Sequence, residues 1–228
     1  PYPGTVNPEV FDEPWVPPVS NGSGQDRRLL RRAGELLTEA GWTIKDGKRV
    51  NSKGEPLTVE FLLFERVSEP HHALYLKNLA ALGIDGTVRF VEPVQYRSRV
   101  QEFDFDIAVS RIVLPVTPGD SLRNYFSSRA ANTKGSANLS GISDPVVDAL
   151  IEKVISATDR DSLNNACRAL DRVLRAGRYW VPHWYKPSHW IAYWDMFGKP
   201  PTKPRYARGI PETWWYDRDK VAKLERSG

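Results

Sequence analysis

The chain has 228 residues, of which 40% are hydrophobic and 26% are charged, so it can form one large domain with a buried core. It contains no run of about 18 apolar residues, which excludes a transmembrane helix. The formal net charge is +4, and residues 199–228 account for it, with eight Lys and Arg against four Asp and Glu. A short basic tail without a basic stripe argues against a nucleic-acid partner.

Tryptophan is unevenly distributed, since six of the eight Trp lie between residues 180 and 215. The single cysteine, Cys167, excludes a disulfide framework and a thiolate metal cluster, and we expect it to be a small buried hydrophobe. The chain opens at Pro1 without an initiator Met, a basic start or an apolar segment. It therefore shows no signal peptide, and we interpret it as a fragment or a processed product.

The first part of the chain predicts alternating strands and helices. Residues 1–22 contain six Pro and predict an extended connector. A helix is predicted to begin at the capping pair Ser23 and Asp26, and Asp46-Gly47 predicts a hairpin turn. The segments that follow are a strand at 57–63, a helix at 70–82, a strand at 87–91, a helix at 94–101 and a strand at 105–109. This order predicts an α/β layer with a largely parallel sheet.

The second part begins with an irregular stretch at 110–142, interrupted by a short helix near 119–126. Loops this long are usually functional or disordered. Two helices follow, one capped by Asp144 with Pro145 at its first position, the other beginning at Thr158. From Tyr179 onward the sequence is aromatic, β-prone and interrupted by proline, which predicts a boundary near 178–182.

Two clusters of polar residues resemble catalytic or metal sites. His71 and His72 point about 100° apart on a helix, so they cannot share a tetrahedral metal site without outside ligands, and we interpret them as surface residues. Strand alternation puts Asp104 and Asp106 on one face, as a pair of carboxylates for acid–base catalysis requires. A solvated strand edge accounts for the same pattern, and no partner base is identifiable.

Three features are candidates for ligand binding. Arg111 directly follows the third predicted strand, where the carboxyl ends of strands line the crevice of open α/β sheets, although a surface salt bridge is an equal alternative. The turn at 135–141 offers Asn138 and main-chain N–H groups to a polar ligand. The Trp and Tyr residues from 179 to 194 fit a core, or a platform on which sugar rings stack.

Segments along the whole chain resemble one known family. Residues 19–42 are similar to the start of the C-terminal lobe in ABC-transporter solute-binding proteins of the oligopeptide class, family 5 of the bacterial extracellular solute-binding proteins. A resemblance to the YejA-type branch of this family, which is linked to uptake of oligopeptides and peptide antibiotics, is found at residues 105–108, 119–126, 135–138 and 143–151. Residues 181–185 resemble its crossover to the first lobe, and residues 212–216 its usual terminus.

The resemblance implies an α/β fold that forms the C-terminal lobe of a two-lobed periplasmic binding protein (type II, cluster C-like). A mixed sheet would be flanked by helices, with remnant strands of the first lobe. We expect residues 1–20 to be a connector or lobe I remnant, 21–179 to be the lobe II domain, and 180–228 to cross back and pack on lobe I, which is mostly absent. Such receptors close on the ligand about a hinge.

The resemblance also implies a function without catalysis, cofactor or metal. The chain would belong to the substrate-binding component of an ABC importer, a periplasmic protein only peripheral to the membrane, which delivers oligopeptides or peptide-like compounds to the permease subunits. By position, Arg111, Asn138 and Trp184 would line the cleft, with Tyr185 near the crossover. Two alternatives stay open: a carbohydrate-binding module or glycosidase fragment that uses the Trp cluster, and the same receptor class with an opine, a sugar or a metal chelate.

One departure from the family concerns ligand anchoring. Its dipeptide and oligopeptide receptors place an Asp after the third strand to pair with the peptide α-amino group, whereas residues 112–118 contain no acid before Asp120. Ligands with blocked or differently anchored ends are therefore favoured. Because half of the cleft would be missing, we expect this chain alone to bind peptide weakly or not at all. Its Trp-rich lobe I surface would be orphaned and liable to self-associate.

Overall fold

The computed structural model describes residues 5–112, 114–115, 117–182, 187–188, 190–205, 210 and 212–225. The chain divides into two compact units, residues 1–181 and residues 182–228. The strands of the first unit are β1 (Thr43–Lys45), β2 (Lys48–Val50), β3 (Thr58–Leu63), β4 (Asp85–Phe90) and β5 (Ile107–Ala108). Its helices are α1 (Arg27–Glu39), α2 (Glu69–Ala81), α3 (Pro93–Gln101), α4 (Ser121–Phe126), α5 (Ser128–Ala131), α6 (Pro145–Ile155) and α7 (Arg160–Gly177).

A three-stranded parallel sheet forms the centre of the first unit. Its strand order is β4-β3-β5, with Thr58 paired to Asp85 and Phe61 paired to Ile107. Helix α2 connects β3 to β4 and helix α3 connects β4 to β5, which confirms the predicted α/β alternation. Because all three strands run in the same direction, their carboxyl ends meet at one edge of the sheet.

Strand β5 is shorter than the predicted strand at 105–109. Phe103 adopts a positive φ of 59°, which bends the chain just before the sheet. The side chain of Asp106 then accepts a hydrogen bond from the main-chain N–H of Glu60 at 2.9 Å. The Asp106 carboxylate thus accepts a hydrogen bond that a main-chain carbonyl of β5 would otherwise accept, so β5 begins only at Ile107.

The predicted hairpin turn is confirmed between β1 and β2, which pair antiparallel around Asp46 and Gly47. Both turn residues have positive φ, as a tight hairpin requires. Arg49 of β2 is buried and donates to the carbonyl oxygens of Gly34, Trp42 and Leu82 at 2.9–3.1 Å. This guanidinium joins the hairpin to α1 and to the C-terminal end of α2.

A second core is built by helices. Residues of α4, α6 and α7 pack around Ile142, and Val147 and Ile151 of α6 are fully buried. Asp144 caps α6 and accepts from the N–H of Val146 at 2.7 Å, as predicted. Helix α7 is capped by Asp159 and not by Thr158, because the Asp159 carboxylate accepts from both the N–H and the hydroxyl of Ser162.

The N-terminal segment is more ordered than an extended connector. Pro8–Phe11 form a 3₁₀ helix, and Val6 and Val10 pack against the helical core. Arg172 of α7 donates from Nε to the Val10 carbonyl at 2.9 Å, and Arg178 pairs with Glu9. The proline content of residues 1–22 did not predict this packing, because the contacts come from residues far along the chain.

The second unit contains strands β6 (Phe197–Gly198) and β7 (Trp215–Tyr216), which pair antiparallel, and helix α8 (Arg218–Glu225). Trp214 packs edge-on against Tyr193 with ring centroids 4.6 Å apart. Trp190 and Trp194 are 83% and 77% exposed. The lobe assignments and the orphaned interface stay predictions.

Within the ranges that the structure describes, every helix is too short or too polar to cross a membrane.

Candidate functional site

The carboxyl ends of the parallel strands meet at a surface that we call the carboxyl edge, residues 64–67, 93–96 and 109–112. In open α/β sheets, ligands bind in the crevice outside these ends. Each of the three connections that leave this edge exposes apolar side chains, namely Phe64, Val67, Val94, Val109 and Ile112. Soluble proteins rarely cluster exposed apolar groups unless the surface binds something.

Two aromatic rings lie at the centre of the carboxyl edge. Phe64 follows the last residue of β3, is 42% exposed, and packs against Tyr96 of α3 with ring centroids 4.7 Å apart. The Tyr96 hydroxyl donates to the carbonyl oxygen of Val109 at 3.1 Å. Burial raises the pKa of the Tyr96 hydroxyl. Tyr96 therefore ties α3 to the end of β5.

A cation borders the aromatic pair. The guanidinium carbon of Arg66 lies 4.6 Å from the centroid of the Phe90 ring, where the negative face of the ring attracts it. Arg66 also lies 3.8 Å from the carboxylate of Glu69. The connection after β3 is thus held over the end of β4.

The structure places Arg111 at the carboxyl edge, two residues beyond the Val109 carbonyl that Tyr96 holds, and its side chain is exposed. Asp120, the first acid after the 112–118 loop, pairs with Arg123 of α4. A free α-amino group would therefore have to compete with Arg123 for that carboxylate. The ligand-binding role of Arg111 stays a prediction.

The structure places Asn138 in the interior, only 1% exposed. Its amide nitrogen donates to the carbonyl oxygens of Ser127 and Ile142 at 3.0 and 2.8 Å, and its Oδ1 accepts from the N–H of Ile142 at 2.9 Å. The side chain holds the 138–142 turn against α5. Asn138 and Arg111 thus differ in setting, one occupied within its loop and the other open to solvent. A role for Asn138 in binding stays a prediction.

Trp184 and Tyr185 lie outside the described residues, as do His183 and His189. Their predicted roles at the ligand and at the crossover stay predictions.

The opposite end of the sheet is the amino edge, residues 58–60, 85–87 and 103–106 with Arg99, around a groove of about 520 Å³. Asp104 accepts from Arg99 Nε at 2.8 Å, and Arg99 also approaches Glu60 at 3.7 Å. Asp106 accepts from the main chain of Glu60. Both Asp residues precede β5, so the strand alternation that was to put them on one face does not apply. The structure gives each a structural partner.

The histidine pair is not arranged as a metal site. His72 is buried, with Nδ1 2.8 Å from the Ser68 carbonyl oxygen and its ring against the edge of Phe61. This corrects the interpretation of both histidines as surface residues, because only His71 is exposed. Among the described residues, no three His, Cys, Asp or Glu side chains are grouped so that they could hold a metal ion.

Comparison with known proteins decides the family. The model of the bacterial extracellular solute-binding proteins, family 5 (middle region), matches residues 5–134. The chain belongs to this family. It is 44% identical over 215 residues to the uncharacterized protein y4wM of Sinorhizobium fredii, covering 92% of this chain and 32% of that protein. It is 39% identical over 211 residues to the probable peptide-binding protein YejA of Agrobacterium fabrum, covering 92% and 34%. The chain spans about a third of the length of these relatives.

Solved structures show the family 5 fold. The oligopeptide-binding protein AppA of Bacillus subtilis, in complex with a nonapeptide, matches with a TM-score of 0.62 at 18% identity, over 82% of this chain and 37% of that chain. A periplasmic oligopeptide-binding protein of Thermotoga maritima, with bound mannohexaose, matches with a TM-score of 0.59 at 17% identity, over 69% and 31%. These two structures hold different classes of ligand, so the fold does not decide the ligand.

The sequence did not reveal Phe64 and Tyr96 as members of this candidate site. Phe64 is the first residue after β3, and Arg111 lies three residues after the end of β5, so both follow the carboxyl end of a strand in the same sheet. Applying the rule for carboxyl ends to every predicted strand would have found Phe64. Tyr96 carries no comparable signal, because only the folded chain shows its bond to Val109.

Proposed function

We propose that the gene product containing this chain is the solute receptor of an ABC importer, and that it captures oligopeptides or peptide-like compounds in the periplasm. It would deliver them to the membrane-spanning permease subunits. Membership of family 5, a family of binding proteins, supports the receptor class. The relative named as a probable peptide-binding protein supports the class of ligand.

The carboxyl edge is the observation that carries this proposal. It presents exposed apolar side chains beside an exposed guanidinium and the irregular main chain after β5. Pockets for small ligands combine such an apolar lining with a few polar groups that fix orientation. A peptide offers both partners, since its side chains are often apolar and its backbone and carboxylate are polar.

We assign roles to the four predicted residues on this basis. Arg111 binds a ligand carboxylate or peptide carbonyl through its two parallel N–H groups. By the family resemblance alone, Trp184 would cover an apolar part of the ligand and Tyr185 would be near the crossover; both residues lie outside the described ranges. Asn138 acts through its loop, because its own amide groups are occupied.

Titration calorimetry of the whole gene product tests the proposal. One series uses a mixed tetrapeptide library, and a matched series uses linear manno-oligosaccharides. We expect saturable heat with peptides and none with the sugars. Heat with the sugars alone would contradict the proposal, and so would the absence of heat with any peptide.

The 228-residue chain alone provides a second comparison. It carries one carboxyl edge but spans about a third of the length of its relatives, so we expect it to bind the same peptides much more weakly. Equal affinity of the chain and the whole gene product would show that this surface is sufficient for binding.

A further inference from the structure

We propose that Phe64 and Tyr96 form a subsite that selects one apolar side chain of the bound peptide. Phe64 would contact that side chain, and Tyr96 would act as a positioning residue. This inference rests on the proposed function, because it names the part of the ligand that the carboxyl edge recognises.

The exposure of Phe64 is the first step. Its ring packs against Tyr96 with the centroids 4.7 Å apart and the planes 49° apart, and 42% of the residue remains exposed. A ring that is held by a neighbour and is still partly exposed offers a firm apolar surface. Aromatic side chains supply large contact areas of this kind.

Two exposed valines in the neighbouring segments favour an apolar ligand group at this ring. Val67, in the same connection, is 77% exposed, and Val109, at the end of β5, is 51% exposed. The Tyr96 hydroxyl donates to the Val109 carbonyl and so is directed at its own main chain. A charged ligand side chain on this surface would lose hydration without gaining a partner from either ring, which disfavours it.

Tyr96 gives the subsite its geometry. Its hydroxyl fixes the ring to the Val109 carbonyl at 3.1 Å, and the ring in turn supports Phe64. The same bond holds the main chain two residues before Arg111. The distance between the polar anchor, Arg111, and the apolar subsite is thereby kept constant. The receptor can then select ligands by the spacing between a polar group and an apolar group.

The test uses the whole gene product and tetrapeptides of alanine that carry one leucine or one serine at each position in turn. In the unmodified protein, we expect leucine to bind about tenfold more tightly than serine at one position, the discrimination typical of a hydrophobic pocket. Phe64→Ala should reduce this preference to about twofold, and Phe64→Leu should retain most of it. Phe11→Ala, which truncates a ring that is 78% exposed in the N-terminal segment, is the matched control and should leave the preference unchanged.

Tyr96→Phe separates positioning from packing, because it keeps the ring and removes the hydroxyl. We expect the leucine preference to fall by at least about twofold, while affinity for the all-alanine tetrapeptide changes less. An unchanged preference in Tyr96→Phe would overturn the positioning role.

The outcomes distinguish this inference from the proposed function. If tetrapeptides bind but leucine and serine are equivalent at every position, the subsite is wrong and the peptide receptor stands. A preference for leucine over serine that is retained in Phe64→Ala would likewise show that the subsite is wrong and that the peptide receptor stands. If no tetrapeptide binds, the proposed function fails, and the subsite fails with it.

Discussion

The two edges of the central sheet are ends of the same three strands, but their side chains are used differently. At the amino edge, Arg99 pairs with both Glu60 and Asp104. At the carboxyl edge, Phe64 and Arg111 remain exposed. Glu60 lies within β3, whereas Arg99, Asp104, Phe64 and Arg111 lie outside the strands, so most of the difference arises in the segments that connect the strands.

This difference separates stability from binding. Charges that are paired within the chain stabilise the fold and have little left to offer a ligand. Apolar groups left in water cost about 25 cal/mol for each Å² that could be buried, and a ligand that covers them recovers that free energy. Variants of the amino edge should therefore change stability, and variants of the carboxyl edge should change peptide affinity.

The largest effect on stability is expected at Asn138, which lies away from both edges. This residue was predicted to bind ligand, so its variant tests whether it stabilises the fold or contacts the ligand. Asn138→Ala leaves the N–H and the carbonyl oxygen of Ile142 without partners in a buried turn, and it removes one of the two hydrogen bonds that the Ser127 carbonyl accepts. We expect the free energy of unfolding to fall by about 3 kcal/mol or more, measured by urea denaturation. Asn124→Ala, at an exposed position of α4, is the control and should change it by less than about 0.5 kcal/mol. Unchanged stability with weaker peptide binding would instead assign Asn138 directly to the ligand.

Arg99 tests the amino edge. Its side chain is 16% exposed and donates to both the carbonyl and the carboxylate of Asp104. Arg99→Ala should lower the free energy of unfolding by about 1–2 kcal/mol and leave peptide affinity unchanged. Arg97→Ala, at an exposed position of the same helix, provides the matched control. A loss of peptide affinity in Arg99→Ala without a loss of stability would reverse the comparison.

Arg111 tests the carboxyl edge. Arg111→Ala should weaken peptide binding about tenfold, which corresponds to about 1.4 kcal/mol, and leave the urea midpoint where it was. Calorimetry and denaturation of the same preparation provide both numbers. Arg31→Ala, which removes an exposed guanidinium from α1, controls for the change in net charge. Equal binding by Arg111→Ala and Arg31→Ala would exclude Arg111 as an anchor.

The smallest effect is expected at Tyr96 and depends on pH. Tyr96→Phe removes one hydrogen bond and should cost about 1 kcal/mol of stability at neutral pH. The pKa of Tyr96 lies above its ordinary value of 10.0 in the folded chain, mainly through burial. Its neutral form therefore stabilises the fold below pH 10, and this contribution is lost as the pH rises through the raised pKa. The stability difference between the two proteins should shrink above pH 10, and a constant difference would contradict it. Tyr216→Phe, at a position that is 57% exposed, is the control.

Much of the fold could be predicted because local signals agree with it. Asp144 before Pro145 predicted the start of α6, and Asp46-Gly47 predicted the hairpin. The order of strands and helices predicted a parallel sheet, and the position of Arg111 after the third strand predicted that it lies at the carboxyl edge.

The parts that could not be predicted depend on contacts between distant residues. A turn rich in Gly, Ser and Asn does not show whether Asn138 points inward or outward, and the answer depends on Ser127 and Ile142. Strand β5 is shorter than predicted because the Asp106 carboxylate, and not a main-chain carbonyl, accepts the hydrogen bond from the Glu60 N–H. These are effects of packing that the residues do not display in isolation.

Hydrogen exchange of the whole gene product, with and without a saturating tetrapeptide that binds in the titration, tests the central claim most directly. We expect the ligand to slow amide exchange in the carboxyl edge, above all at 109–112, and to leave the amino edge unchanged. Slower exchange at 103–106 with no change at 109–112 would contradict the assignment of the carboxyl edge as the ligand-binding surface.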